Sequence, residues 1–200
     1  MAATTSSPQI GWKAAEFDLE GPDGRHHRLA EVCGPKGTLV MFICNHCPYV
    51  QAVLDDIIRD ARELEAHGVR SIAIMPNDTR AYPADSLENM KRLAQEKKLP
   101  FPYVIDRSQK VARSYDAVCT PDFFGFNADL ELQYRGRIYE MRHLQRASGS
   151  ERNLFDAMVQ IARTGKGPAE QVPSMGCSIK WRIPREVVPE PSSWQLWRGA

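Results

Sequence analysis

Two cysteines three residues apart are the groups in this sequence best suited to chemistry. Cys44 and Cys47 enclose Asn45 and His46 in a C-x-x-C motif, and Pro48 follows. We expect the motif to begin a helix, with Cys44 near the N-cap and Cys47 within the first turn, so that both sulfur atoms lie on one face. The unpaired N–H groups and the dipole at a helix N-terminus stabilise a thiolate, the form of cysteine that attacks disulfides.

These positions predict different roles for the two thiols. Cys44 is the expected nucleophile, and Cys47, deeper in the helix, is expected to resolve the mixed disulfide by closing an intramolecular bridge. His46 is a further candidate catalytic residue, because a protonated imidazole near the Cys44 sulfur favours the thiolate. The predicted reaction is thiol–disulfide exchange, in whichever direction the reduction potentials of the partners allow.

Metal binding fits the motif less well. A zinc site needs a second pair of ligands at comparable spacing, and the other cysteines and histidines of the sequence do not provide one. Haem attachment needs a histidine directly after the second cysteine, where this sequence has Pro48. We therefore expect no metal and no cofactor other than the redox-active cysteine pair. A non-enzymatic module that binds a soft metal such as Cu(I) is the alternative.

A buried strand and a long helix are predicted to position the motif. Residues 38–43 form a short apolar run typical of a strand buried on both faces, and apolar residues from Val50 to Leu64 recur at helical spacing. Residues 69–75 predict a second strand, and residues 87–94 predict a second helix. This β-α-β-α order predicts an α/β fold, with parallel strands joined by right-handed crossovers and helices on both faces of the sheet.

Shorter elements complete the predicted domain. Residues 17–19 and 27–29 are expected to form a small N-terminal hairpin. A later antiparallel pair is expected over 123–126 and 130–134, and a last helix through Leu154, Met158 and Ile161, with Ser150 before it. Because antiparallel strands then join the parallel ones, the central sheet is predicted to be mixed.

The chain is predicted to divide into a flexible N-terminus over 1–15, a main domain over 16–165 and a C-terminal extension over 166–200. The extension is rich in proline and glycine but contains three tryptophans, so part of it is expected to pack on the body of the domain. These tryptophans are Trp181, Trp194 and Trp197.

Composition and charge exclude several classes of function. The 26 lysines and arginines nearly balance the 25 aspartates and glutamates, so we expect neither nucleic acid nor a membrane surface as a partner. No stretch approaches the roughly 20 apolar residues of a membrane span, and the first residues do not resemble a signal peptide. We expect a cytoplasmic protein whose five cysteines are reduced thiols.

Three separated segments resemble the peroxiredoxin-like branch of the thioredoxin family, which includes proteins similar to alkyl hydroperoxide reductase and thiol-specific antioxidant. The resemblance covers roughly residues 17 to 181. The segments are Phe42-Ile43-Cys44-Asn45-His46-Cys47-Pro48-Tyr49-Val50, Cys119-Thr120-Pro121-Asp122-Phe123-Phe124 and Gly176-Cys177-Ser178-Ile179-Lys180-Trp181.

The resemblance implies a thioredoxin-like fold with a cis peptide bond at Thr120–Pro121. In that fold the cis-proline loop faces the dithiol, so Thr120 and Pro121 are implied to be substrate-binding residues. The implied partners are a protein or small-molecule disulfide, or a peroxide, together with a thiol electron donor.

The sequence also departs from true peroxiredoxins. Those proteins carry a threonine three residues before the peroxidatic cysteine, where this sequence has Cys44 before Cys47, and Phe123 or Phe124 stands near the place of their arginine. An alternative function is therefore peroxide reduction with Cys47 as the peroxidatic cysteine and Cys44 as the resolving thiol.

Two further cysteines are possible accessory thiols. Cys119 adjoins the presumed cis-proline loop and could exchange a disulfide with the dithiol, or it could simply pack as a small apolar side chain. Cys177, in the C-terminal extension, has the same two possibilities.

Overall fold

The computed structural model describes residues 2–5 and 9–182. Its strands are β1 Ala2–Thr4, β2 Asp18–Glu20, β3 His26–Arg28, β4 Gly37–Phe42, β5 Val69–Met75, β6 Tyr103–Ile105, β7 Cys119–Thr120, β8 Asp122–Phe126, β9 Leu132–Arg135, β10 Met141–Arg142, β11 Gln145–Arg146 and β12 Met175–Ser178. Its helices are α1 Leu29–Val32, α2 Pro48–Glu65, α3 Leu87–Lys97, α4 Lys110–Ser114 and α5 Asn153–Thr164, with a 3-10 turn over Pro83–Asp85.

A seven-stranded mixed sheet forms the centre of the described residues, in the order β3-β2-β6-β5-β4-β8-β9. Strand β4 pairs in parallel with β5, from Gly37 opposite Val69 to Phe42 opposite Ile74. On its other side β4 pairs antiparallel with β8. The predicted mixed sheet is confirmed, and the strand that leads into the cysteine motif lies between two hydrogen-bonded neighbours.

Alternate side chains of β4 contribute to hydrophobic cores on opposite faces of the sheet, as strand geometry requires. Leu39 and Met41 pack with buried residues of α2, α3 and α5. Val40 and Phe42 pack with buried residues of α1 and α4. Helices therefore cover both faces, which confirms the predicted α/β architecture.

Helix α2 presents a continuous buried stripe to the sheet, because its apolar residues recur every three or four positions. Val50, Val53 and Ile57 are each at most 1 % exposed. Pro48 occupies the first turn, where its missing N–H removes no helical hydrogen bond. The predicted helix is therefore confirmed, and its start fixes where the cysteine motif must lie.

A second, three-stranded sheet joins the two ends of the described chain. Strand β12 pairs antiparallel with β1 on one side and with β7 on the other. Residues 2–4, which belong to the predicted flexible N-terminus, thus form a strand in this structure. The start of the C-terminal extension packs on the body as expected, since Ile179 is buried and the guanidinium carbon of Arg113 lies 4.3 Å from the Trp181 ring centroid. The domain boundaries stay a prediction.

The smaller predicted elements are also present. Strands β2 and β3 form the N-terminal hairpin, and β8 and β9 form the later antiparallel pair. The predicted last helix is α5, which begins at Asn153, after Ser150, and contains Leu154, Met158 and Ile161. Trp194 and Trp197 lie outside the described residues. Among residues 2–5 and 9–182, no helix has the length and apolar character needed to cross a membrane.

Candidate active site

The C-x-x-C motif occupies the turn between β4 and α2. Cys47 is the N-cap of α2, and the helix begins at Pro48. The prediction that Cys44 lies at the N-cap and Cys47 within the first turn is therefore wrong. The physical reason is that the backbone N–H groups of Asn45 and His46 donate to the buried carboxylate of Asp85, over 2.9 and 3.3 Å, and this holds the residues before Cys47 in a separate turn.

Both sulfur atoms of the motif are enclosed by protein. Cys44 is 1 % exposed and Cys47 is not exposed at all. The Cys47 thiol donates to the carbonyl oxygen of Thr120 over 3.0 Å, and the Cys44 sulfur lies 3.3 Å from the Thr120 hydroxyl oxygen. The peptide bond between Thr120 and Pro121 is cis, as predicted. The structure therefore brings the dithiol and Thr120 into direct contact.

The environment of Cys47 favours its thiolate. A hydrogen bond from the Cys44 thiol is the largest cause that lowers the pKa of Cys47, to about 5, against the opposing effect of burial. The Thr120 side chain and the backbone N–H groups of Val50 and Cys177 add to the lowering. The Thr120 carbonyl oxygen faces the same sulfur and opposes ionisation, so the favourable donors must outweigh it.

The environment of Cys44 has the opposite effect. Its pKa is raised, first by its hydrogen bond to Cys47, then by burial and by the negative charge of Asp85. These surroundings disfavour a thiolate at Cys44, the expected nucleophile. Cys47 lies at the N-cap of α2, whereas Cys44 lies three residues before it and near the carboxylate of Asp85.

Asp85 is the central polar residue of this turn, and the sequence did not single it out. It is fully buried, and its Oδ1 accepts the two backbone hydrogen bonds from Asn45 and His46. Its Oδ2 accepts from the Asn77 amide over 2.8 Å and from His46 Nδ1 over 2.7 Å. Asp85 was visible in the sequence only as part of a loop rich in prolines and polar residues, and the distance along the chain to His46 carries no signal of contact.

His46 is oriented by Asp85 rather than by Cys44. Its Nδ1 lies 2.7 Å from Asp85 Oδ2 but 3.9 Å from the Cys44 sulfur. Because a carboxylate only accepts hydrogen bonds, Nδ1 carries the proton and is not available as a base toward Cys44. The ring also stacks on Tyr82, with centroids 5.4 Å apart. His46 thus helps to fix the turn that carries both cysteines.

Cys44, His46 and Asp85 form a group that could hold a metal ion, since one ligand atom from each lies within 4.8 Å of the others. This set contains one cysteine of the motif, not two, so it differs from the soft-metal site considered above. Both oxygens of Asp85 already accept hydrogen bonds, including that from His46. A metal at this place requires the His46–Asp85 hydrogen bond to break.

The two candidate accessory thiols have different surroundings. Cys119 is fully buried, and its thiol donates to the Pro121 carbonyl oxygen over 3.5 Å. Burial raises its pKa, and the negative charge of Asp122 adds to this effect. Cys177 is partly exposed on β12 and packs against the buried cluster that contains Cys44 and Cys47. The structure therefore places Cys177 at the site.

The fold and the enclosed cysteine pair at the start of α2 define a thioredoxin-fold protein, as the resemblance implies. The chain belongs to the AhpC/TSA family, whose model matches residues 10–138. Family membership and the fold together support a thioredoxin-like redox role.

Solved structures agree with this assignment. An uncharacterized conserved protein from Geobacillus kaustophilus is 40% identical and superposes with a TM-score of 0.86. The match covers 91% of this chain and 97% of the Geobacillus chain. A hypothetical protein from Sinorhizobium meliloti 1021 is 33% identical and has a TM-score of 0.83. The match covers 90% of this chain and 98% of the Sinorhizobium chain. The peroxidoxin BcpB from Mycobacterium tuberculosis is 14% identical, covers 77% of this chain and 96% of its own, and shares the fold at a TM-score of 0.58. No curated protein sequence matches the chain.

Proposed function

We propose that the protein is a thiol–disulfide oxidoreductase whose working groups are Cys44 and Cys47. The observation that carries the proposal is that both sulfur atoms contact Thr120 at the N-terminus of α2, where the pKa of Cys47 is lowered to about 5. A thiolate that persists at neutral pH, with a second thiol beside it, is the arrangement that disulfide exchange requires.

The proposed reaction reverses the roles that the sequence predicts. The Cys47 thiolate attacks one sulfur of a substrate disulfide, forms a mixed disulfide and releases the other substrate sulfur as a thiolate. Cys44 then attacks the Cys47 sulfur, gives its proton to the departing second substrate thiolate and closes the Cys44–Cys47 disulfide. Two electrons pass from the dithiol to the substrate, and its sulfurs leave as one thiolate and one thiol.

Burial of both sulfurs limits the substrate. Because Cys44 is 1 % exposed and Cys47 is unexposed, a disulfide within a folded protein cannot approach either without displacement of the covering residues. We therefore propose a small-molecule disulfide, or a disulfide in an extended peptide, as the substrate class. The thiol electron donor and the cytoplasmic location stay predictions from the sequence.

The test is reduction of a chromogenic aromatic disulfide by the reduced protein, with single cysteine variants for comparison. Cys47→Ser is expected to abolish the reaction. Cys44→Ser combined with Cys177→Ser, which removes both neighbouring thiols, is expected to react once and then hold the substrate as a mixed disulfide on Cys47. Cys33→Ser is the control, because Cys33 lies at the C-cap of α1 and its thiol donates to Ala30. If Cys47→Ser instead trapped substrate on Cys44, the proposed order of attack would be wrong.

A second candidate function is peroxide reduction with Cys47 as the peroxidatic cysteine. It is favoured by the same finding, that the sulfur with the lowered pKa is Cys47 and not Cys44. The thiolate would take one oxygen from the peroxide to give a sulfenic acid and an alcohol or water, and Cys44 would then form the disulfide with loss of water. Peroxide consumption that depends on both cysteines, without reduction of the aromatic disulfide, selects this function.

A further inference from the structure

We infer that Cys177 is a third redox thiol, which forms a disulfide with Cys47 and connects the buried dithiol to an external thiol donor. This inference rests on the proposed function, because it requires Cys47 to react as a nucleophile. It assigns to the C-terminal strand β12 a part in the reaction cycle.

The register of β12 carries Cys177 to the dithiol. Cys177 lies opposite Thr120 in the antiparallel pair of β12 and β7. Thr120 is also the residue whose carbonyl oxygen accepts the Cys47 thiol hydrogen bond over 3.0 Å. Cys177 also packs against the buried apolar cluster that contains Cys44 and Cys47. Cys47 therefore lies close to two thiols, Cys44 from its own turn and Cys177 from β12.

Close packing fixes β12 in this position. A Cβ atom on Gly176 would lie 2.1 Å from the Thr120 carbonyl oxygen, so only glycine allows the two strands to approach this closely. On either side, the Ser174 hydroxyl donates to the Gly136 carbonyl oxygen over 2.7 Å, and the Ile179 N–H donates to Val118 over 3.1 Å. The contact between Cys177 and Cys47 thus belongs to a hydrogen-bonded strand.

Exposure gives Cys177 a role that Cys44 cannot fill. Cys177 is partly exposed, whereas Cys44 and Cys47 are at most 1 % exposed. A Cys44–Cys47 disulfide is enclosed, so a donor protein cannot reach either sulfur without displacement of the covering residues. A Cys47–Cys177 disulfide places one of its sulfurs at the surface, where a small dithiol or a donor protein can attack it.

The step balances without any further oxidant. The Cys177 thiolate attacks the Cys47 sulfur of the Cys44–Cys47 disulfide, the bond between those two sulfurs breaks, and Cys44 leaves as a thiolate that takes up the proton lost by Cys177. A donor dithiol then attacks the Cys177 sulfur, becomes a disulfide itself and returns Cys47 and Cys177 to thiols. Burial and the negative Cys47 sulfur raise the pKa of Cys177, to about 11, while the charge of Lys180 lowers it. Formation of the Cys44–Cys47 disulfide removes the charge on Cys47 and so makes Cys177 easier to ionise.

The test uses the Cys44→Ser variant, in which Cys47 has lost its neighbour in the motif. The full-length reduced variant is oxidised with one equivalent of diamide, alkylated and digested, and disulfide-linked peptides are identified by mass spectrometry. The expected product is an intramolecular Cys47–Cys177 link, which disappears when Cys177→Ser is added and persists when Cys33→Ser is added instead. A link from Cys47 to Cys119, or free Cys177 beside an oxidised Cys47, overturns the inference.

Two further measurements separate this inference from the proposed function. If the wild-type protein forms a Cys44–Cys47 disulfide and reduces the aromatic disulfide while Cys44→Ser gives no Cys47–Cys177 link, the inference alone is wrong. If wild-type Cys47 does not react at all, the proposed function is wrong as well. In the wild-type background, Cys177→Ser is expected to slow reduction of the oxidised protein by an added dithiol, and an unchanged rate contradicts the relay.

Discussion

Removal of the Asp85 charge is expected to destabilise the turn that carries the dithiol. In Asp85→Asn, the remaining oxygen can still accept the backbone hydrogen bonds from Asn45 and His46. The new NH₂ group replaces Oδ2 and faces two donors, His46 Nδ1 and the Asn77 amide, which Oδ2 accepts over 2.7 and 2.8 Å. Two hydrogen bonds to a buried charged acceptor are therefore lost.

The magnitude follows from these two bonds. Each hydrogen bond to a charged group contributes about 1.5–3 kcal/mol, so their loss is expected to reduce the free energy of unfolding by about 3–5 kcal/mol, with the lower range favoured because His46 is partly exposed. The assay is urea denaturation at neutral pH. The matched control is Asp55→Asn in α2, because Asp55 is 81% exposed and pairs only with Lys97 at the surface, so a change below about 1 kcal/mol is expected. An Asp85→Asn protein as stable as the control would refute the role assigned to Asp85.

Two other substitutions test the packing around the site. Arg135→Ala removes the guanidinium that lies 3.1 Å from the fully buried carboxylate of Asp122. Because a buried charge then has no ion-pair partner, the substitution is expected to lower the free energy of unfolding by about 3–5 kcal/mol at pH 7. Burial already raises the pKa of Asp122 to about 6, so the folded protein binds a proton on this carboxylate more tightly than the unfolded chain does. The loss of stability caused by Arg135→Ala should therefore shrink as the pH falls through 6 towards 4. A loss that is independent of pH contradicts this assignment. Gly176→Ala forces a methyl group against the Thr120 carbonyl oxygen, so it is expected to lower stability by about 1–3 kcal/mol in thermal unfolding and to reduce the yield of the Cys47–Cys177 link. Ser178→Ala on the same strand is the control and should change neither. Equal behaviour of the two variants would contradict the prediction.

Periodic patterns predicted the parts of the fold that depend on local sequence. The apolar run before Cys44 and the stripe from Val50 to Leu64 are determined by burial alone, and both elements are present as β4 and α2. The mixed sheet followed from the order of the predicted strands and the cis peptide bond at Thr120–Pro121 from the resemblance, and both were also confirmed.

The start of α2 was predicted incorrectly because a contact distant in sequence decides it. Pro48 is compatible with a helix that begins either before or after it, so the sequence left the N-cap open. The carboxylate of Asp85 captures the N–H groups of Asn45 and His46, and the helix therefore begins only after Cys47. The predicted roles of the two cysteines depended on this N-cap position and changed with it.

The contact between Cys177 and Cys47 also could not be derived from local pattern. Strand β12 pairs with β7 across more than fifty residues of chain, and the pairing register depends on the close approach of Gly176 to Thr120. Gly176 and Cys177 appeared in the sequence only as part of a resembling segment. The fold was needed to bring the third thiol to the dithiol.

Titration of the thiols tests the central claim most directly. Ultraviolet absorbance of thiolates, followed against pH in the wild-type protein and in Cys47→Ser, isolates the ionisation of Cys47. The account predicts a transition near pH 5 that is absent from Cys47→Ser, because the Cys44 and Thr120 side chains and the backbone of Val50 and Cys177 lower the pKa of that thiol. A Cys47 thiol that ionises near the ordinary pKa of about 8.5 would contradict the account. A low transition that persists in Cys47→Ser and disappears in Cys44→Ser would also contradict it, because the thiolate would then be Cys44.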